Sequence, residues 1–292
     1  FNSACNKLTG QCECRDGVIG RRCDSCSNPY AEVTLNGCEV VYDACPRSFA
    51  AGIWWPRTPL GSASKENCPA PARGKGQRNC DGMSGGWKTP DMFNCTSDQF
   101  IELRKQLSQL EKMELEVNSF VAIKMAENLR SACVSVDRNS AVELNTHTHG
   151  RRKYNMESSF LLHQNNDFWI NEMEMENVKF SHDRLYGADL IITEGILQEL
   201  LNYELMQNGL NLTHSQDKYY IKNLIDASSI ILDRKYSDEW RRATELIQRG
   251  PEDLIDAFNK YMVVLGRSQH DTYTNPFEII QRNMVFGLDI VT

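Results

Sequence analysis

The residues with chemistry to offer are the cysteines. Ten of the eleven, Cys5, Cys12, Cys14, Cys23, Cys26, Cys38, Cys45, Cys68, Cys80 and Cys95, fall within residues 1–95, and Cys133 alone lies beyond. Cys12-x-Cys14 and Cys23-x2-Cys26 have the short paired spacing with which four thiolates hold zinc. The competing chemistry is oxidation in pairs, which staples small secreted modules whose cores are too thin to fold alone. Two observations favour it. The same stretch holds 11 of the 18 glycines and 7 of the 9 prolines, a composition that excludes long helices. Two sequons, Asn94-Cys95-Thr96 and Asn211-Leu212-Thr213, fit passage through an oxidising compartment and make Asn94 and Asn211 candidate glycosylation sites.

Other reactive groups lack company. There is no G-x-S-x-G or H-E-x-x-H motif, and Arg73-Gly74-Lys75-Gly76 lacks P-loop spacing, so no catalytic residue is assigned. His147 and His149 have no third or fourth ligand, Cys133 lies on an apolar stripe as an inert thiol, and no metal or cofactor is expected. No D-x-[DN]-x-[DN]-G calcium loop occurs. A formal charge of −7 without a basic stripe argues against nucleic-acid partners. No apolar run approaches the ~18 residues of a membrane span, so direct insertion into a bilayer is not expected.

The elements that must position the cysteines change along the chain. Residues 1–42 have no room for a hydrophobic core, and Gly10, Gly17, Gly20 and Gly37 supply turns. Residues 43–95 add Trp54, Trp55 and Trp87, which either present a ligand-contacting aromatic patch or pack over the cross-links. Beyond them helical periodicity takes over. Thr96-Ser97-Asp98 reads as an N-cap before Phe100, Leu103, Leu107 and Leu110. Further helices are expected at 117–134, over Leu190–Leu205 with a left-handed stop at Asn208-Gly209, and at 214–234, 237–248 and 251–266. Polar text over 138–183, including the alternating run Asn171–Glu176, reads as a long insertion. Phe277–Ile280 and Met284–Val291 read as strands. Phe1 opens without a charged or apolar leader, as expected of an interior piece of a longer chain.

Cys5…Thr9-Gly10-Gln11-Cys12-x-Cys14…Gly17-Val18-Ile19-Gly20-Arg21-Arg22-Cys23-Asp24-x-Cys26…Gly37-Cys38 resembles the last six cysteines of a laminin-type EGF module. The resemblance implies Cys14–Cys23 and Cys26–Cys38 bonds, with Cys5 and Cys12 bonded to upstream cysteines. In this chain those two are left reduced, joined to each other, or bonded elsewhere. Cys45-Pro46…Trp54-Trp55-Pro56…Cys68-Pro69…Cys80…Trp87…Asn94-Cys95 resembles the hormone-receptor domain, which implies Cys45–Cys80 and Cys68–Cys95. Only four of the six cysteines of hormone-binding members are present.

Ala31-Glu32-Val33, Gly37-Cys38-Glu39-Val40, Ala51-Gly52-Ile53-Trp54-Trp55-Pro56, Phe93-Asn94-Cys95-Thr96 and the closing Asn283–Ile290 segment narrow the likeness. Together they resemble the seven-pass cadherins of the Flamingo (Celsr, Starry night) family of adhesion G-protein-coupled receptors. The fold this implies is multidomain: small disulfide-rich modules, then an all-α subdomain ending in the first β-strands of a truncated partner. The modules would be a partial laminin-type EGF at 1–42, a hormone-receptor domain at 43–95, GAIN subdomain A at 96–275 and the start of GAIN subdomain B at 276–292. Leu212-Thr213 superficially matches the family's self-cleaving His-Leu-Thr sequence, but residue 211 is asparagine where a histidine base is needed, and the sequon accounts for it. The resemblance places the cleavage motif downstream of Thr292, so no enzyme activity is expected here.

The implied setting is the extracellular side of the plasma membrane. The implied role is to couple homophilic adhesion, through calcium-binding cadherin repeats outside this chain, to signalling in planar cell polarity and neurite patterning. The implied partners are the same receptor on neighbouring cells, the receptor's own GAIN subdomain B and its seven-helix domain. A stiff unit between repeats and membrane is the physical task expected of these modules. The alternative is a peptide-binding module acting through the hormone-receptor domain.

Overall fold

The computed structural model describes residues 5–6, 10–82, 86–148, 184–268 and 277–288. They group into two compact units, one ending at Met92 and one beginning at Phe93.

Glycine and proline keep the strands of the first unit short. β1 (Val18–Ile19) pairs antiparallel with β2 (Ser25–Cys26), and β3 (Ala31–Thr34) with β4 (Gly37–Val40). Farther on, β5 (Ala44–Cys45) pairs with β8 (Thr58–Pro59), and β6 (Ser48–Ala50) with β7 (Ile53–Trp55). A three-stranded sheet follows, with β10 (Lys75–Asp81) between β9 (Ala63–Asn67) and β11 (Gly86–Trp87). The β6–β7 turn uses Ala51 and Gly52 at φ 53 and 74, the left-handed pair that suits the twist of a two-residue hairpin. Its register, Ala50 opposite Ile53 and Ser48 opposite Trp55, buries Ile53 and Trp55 and turns Trp54 outward.

Disulfides fix this unit. Cys14 bonds Cys23, Cys26 bonds Cys38 and Cys45 bonds Cys80, while Cys5 bonds Cys12. Cys68 and Cys95 are also oxidised. The four thiols of the zinc alternative are therefore consumed. Closing the loop from Cys45 to Cys80, a sequence separation of 35, removes about 3–4 kcal/mol of denatured-chain freedom in the entropic account.

The second unit is helical. A 3-10 turn at Asp98–Phe100 leads into α1 (Ile101–Glu111), followed by α2 (Ser119–Thr148), α3 (Gly187–Gln207), α4 (His214–Ile231), α5 (Ser237–Ile247) and α6 (Pro251–Ser268). An antiparallel hairpin of β12 (Phe277–Ile280) and β13 (Val285–Leu288) follows. One continuous core joins Phe100, Leu129, Leu197, Tyr220, Tyr261 and Phe286.

Three readings from the sequence need correction. α2 continues to Thr148, into the segment read as insertion, because no glycine or proline interrupts Ser119–Thr148. The rest of that insertion, with His149 and the acidic run at 171–176, lies outside the described residues. α3 reads as a one-sided helix from its leucines, yet it is buried nearly all round, Asp189, Glu194 and Glu204 included. Ser97 does not cap the turn that follows it; its hydroxyl is turned to Asp189 instead. The expected stop after α3 forms as a left-handed Asn208 and Gly209.

Candidate functional site

Alternation along β7 separates the two adjacent tryptophans. Trp55 is 0% exposed and donates its indole N–H to the Ala50 carbonyl at 3.0 Å. Trp87, with its ring centroid 6.3 Å from that of Trp55, donates to the Pro46 carbonyl at 2.6 Å. Trp87 lies opposite Cys80 in the β10–β11 register, and Cys45 and Cys80 are each 1% exposed.

Between these elements lies Arg78, which the sequence did not single out. It is buried, donates through Nε to the Lys88 carbonyl at 2.7 Å and through a terminal nitrogen to Ser48 Oγ at 2.8 Å, and holds its guanidinium 5.0 Å from the Trp87 ring. A buried cation is tolerated because hydrogen-bond acceptors and an aromatic face replace its water. Only the β10 alternation, in which Gly76, Arg78 and Cys80 share the inward face, could have marked it.

Trp54 faces outward, 43% exposed, with the Phe49 ring tilted against it at 5.2 Å and the Arg47 guanidinium 5.0 Å from its ring. Of the three tryptophans named from the sequence, it alone offers a contact face. The face is an amphipathic strip, able to bury an apolar group beside a cation.

The helical unit contains the more unusual chemistry. Asp189 accepts from Ser97 N at 3.0 Å, Ser97 Oγ at 2.6 Å and Tyr186 N at 3.1 Å. Burial pushes its acid dissociation up to about 6, against the downward pull of those donors and of Arg104. Glu194 is wholly buried with neither carboxylate oxygen hydrogen-bonded; burial raises its pKa, and Arg249 at 3.7 Å offsets part of this. Glu204 is pushed up to about 8, by burial first and then by the nearby Asp217. The hydroxyls of Tyr220 and Tyr261 pull it the other way, though neither they nor Glu204 Oε1 reach full hydrogen-bond geometry. Both tyrosines are driven above the ordinary phenol range, again mainly by burial. The sequence does not single out these carboxyls, because periodicity does not reveal that a helix is covered on every side.

At Asp226 the acid is paired instead. It accepts from Arg130 Nε at 2.6 Å, Lys222 Nζ at 2.7 Å and Gln281 Nε2 at 2.6 Å, tying α2, α4 and the β12–β13 turn together. Asn283 completes the tether, its N–H on Ser229 Oγ and its side-chain amide on the Ser229 carbonyl. The reduced Cys133 is fully buried, its sulfur 3.8 Å from Thr193 Oγ1.

Both sequon asparagines are exposed, Asn94 beside the oxidised Cys95 and Asn211 between α3 and α4. Leu212-Thr213 serves as a helix start: Thr213 N–H and Oγ1–H both reach Gln216 Oε1, at 3.1 and 2.9 Å. Among the described residues no group of three or more His, Cys, Asp or Glu is placed to hold a metal ion, and no helix is long and apolar enough to cross a membrane.

A cystine-stapled β unit followed by a helical unit with a terminal hairpin defines a multimodular segment, and comparison gives its modules names. The laminin EGF domain model matches residues 1–38, the hormone receptor domain model 42–98, and the AGRL2-4 GAIN subdomain A model 174–266. The chain is 72% identical over 336 aligned positions to the Protocadherin-like wing polarity protein stan of Drosophila melanogaster, covering 100% of the chain and 9% of that protein. It is 33% identical to Cadherin EGF LAG seven-pass G-type receptor 3 of Homo sapiens, over 99% of the chain and 8% of the receptor. Receptor 2 of Rattus norvegicus is likewise 33% identical, over 99% of the chain and 13% of the receptor. The chain belongs to the Flamingo (Celsr) family of seven-pass cadherins. It spans about a tenth of the length of the curated relatives it matches.

Proposed function

We propose that this chain is the juxtamembrane extracellular region of an adhesion receptor, placed between cadherin repeats and seven membrane helices at the cell surface. The whole receptor would join the same receptor on neighbouring cells and carry that contact to signalling in planar cell polarity and neurite patterning. Within it, residues 1–42 and 43–95 serve as the laminin-type EGF and hormone-receptor modules, 96–275 as GAIN subdomain A, and 276–292 as the entry to subdomain B. Cys68 and Cys95 pair in this reading. The receptor's own subdomain B and seven-helix domain are the downstream partners. The region itself contributes binding and mechanics, not catalysis.

The observation that carries the proposal is the 72% identity running through all three modules to a protein named for wing polarity. An identity sustained across both the cystine-rich and helical units supports a shared task and not merely a shared fold. Grafting this chain in place of the matching segment of the Drosophila relative, in wing cells lacking that relative, tests it. Restored receptor at cell contacts and restored hair orientation are expected. Delivery to the surface without restored orientation defeats the polarity role.

A further inference from the structure

The two sequons differ in what their other residues do. At Asn94-Cys95-Thr96, only the asparagine is exposed: Cys95 is oxidised and 0% exposed, and Thr96 is 1% exposed. Thr96 Oγ1 is a buried hydroxyl with no hydrogen-bond partner. At Asn211-Leu212-Thr213, Asn211 and Thr213 are both exposed, and Asn211 projects from a left-handed backbone at φ 53. The Thr213 hydroxyl lies at the surface, in a capping box with Gln216.

An N-glycan acceptor is read through the hydroxyl at its third position, the group that serine and threonine share. In the transfer, the asparagine side-chain nitrogen bonds to the anomeric carbon of a lipid-linked oligosaccharide pyrophosphate. The bond from that carbon to the pyrophosphate oxygen breaks, the pyrophosphate leaves with the electron pair, and the amide nitrogen gives up one proton to an enzyme base. The transferase must therefore hold asparagine and threonine together as an accessible segment. Releasing Thr213 opens a solvated capping box with the single residue Gln216. Releasing Thr96 requires lifting out a residue pinned beside an oxidised cysteine, which the native fold does not permit on a modification timescale.

We infer that Asn94 accepts a glycan only before the Cys95 disulfide closes, whereas Asn211 remains an acceptor after the helical unit has folded. Occupancy at Asn94 then records the order of oxidation and glycosylation during synthesis. Occupancy at Asn211 does not. The inference needs passage through an oxidising secretory route and is independent of what the receptor does in polarity.

The test uses the whole 292-residue chain, secreted by cells in which synthesis of the lipid-linked donor is inhibited, so that it folds and oxidises without glycans. The purified chain is incubated with oligosaccharyltransferase and lipid-linked oligosaccharide, natively or after reduction and unfolding, and its glycopeptides are read by mass spectrometry. Expected is an Asn211 glycopeptide in both arms and an Asn94 glycopeptide only after reduction. Modification of Asn94 in the native oxidised chain at the rate of Asn211 overturns the inference. So does failure of Asn211 in the native arm while the reduced arm is modified at both sites.

Discussion

Ser97 and Asp189, 92 positions apart, meet in the buried interior of the helical unit, the Ser97 hydroxyl donating to an Asp189 carboxylate oxygen at 2.6 Å. The Ser97 backbone N–H donates to the other oxygen at 3.0 Å, so the start of the helical unit is moored to the first turn of α3 by one carboxyl. Removing the hydroxyl takes one of three donors from a buried carboxyl, leaving the Ser97 and Tyr186 N–H groups, and costs about 1–3 kcal/mol. Ser97→Ala is therefore expected to lower the urea midpoint of the helical unit with an unchanged slope. A midpoint equal to wild type would mean that the backbone donors of Ser97 and Tyr186 suffice.

Glu204 makes the stability of the helical unit depend on pH. Its folded value of about 8 lies above the ordinary 4.5, so the folded state binds the extra proton between those two values. The sign follows: the contribution is complete below about pH 4.5 and is lost as pH rises through about 8. Asp189 acts in the same direction over a lower window, from 3.8 to about 6. Glu204→Gln keeps the shape and abolishes the first window, and near pH 7 it should gain on the order of 3 kcal/mol, discounted by whatever the amide leaves unpaired. Thermal melts of both proteins across pH should diverge upward from about pH 5, with Asp189 cancelling in the difference. Parallel curves would show that Glu204 is not the titrating group.

Glycine supports close approach in α3. A Cβ on Gly187 would overlap the Phe93 ring, whereas one on Gly195 would meet the Leu107 Cδ2 methyl at 2.8 Å. Alanine favours a helix interior by about 1 kcal/mol over glycine. Overpacking costs about 1–3 kcal/mol where neighbours are fixed, and less where a side-chain tip can turn away. Phe93 is fixed, buried under the Arg242 guanidinium at 4.5 Å. Gly187→Ala should thus destabilise in calorimetry and Gly195→Ala should be near neutral; the reverse ranking would contradict this packing.

The paired tryptophans should part company under mutation. Trp55→Ala empties a fully buried site against Trp87 and is expected to cost about 3–5 kcal/mol. Trp54→Ala removes an exposed ring and its contact with Arg47, worth about 1 kcal/mol or less. Secretion yield and guanidinium melts of the two variants check the difference. Equal losses would mean that the outward face is structural.

Much of this protein was legible in its residues. Cysteine spacing and the likeness it carries gave the module order, glycine and proline set the short strands, and Asn208-Gly209 and Gly250-Pro251 marked helix limits, because each acts through local backbone chemistry. The run from Arg138 to Thr148 misled because polarity suggests a loop, while the absence of any helix breaker lets α2 continue.

Tertiary structure alone decided the rest. Which of Trp54 and Trp55 is buried depends on the register of β6 against β7, and the partner of Ser97 on a contact across 92 residues. Whether Asp189, Glu194 and Glu204 face water depends on how many helices surround α3. A sequence fixes the period of its apolar positions, but the solvation of a carboxyl is set by everything packed around it, and that sum exists only in the folded chain.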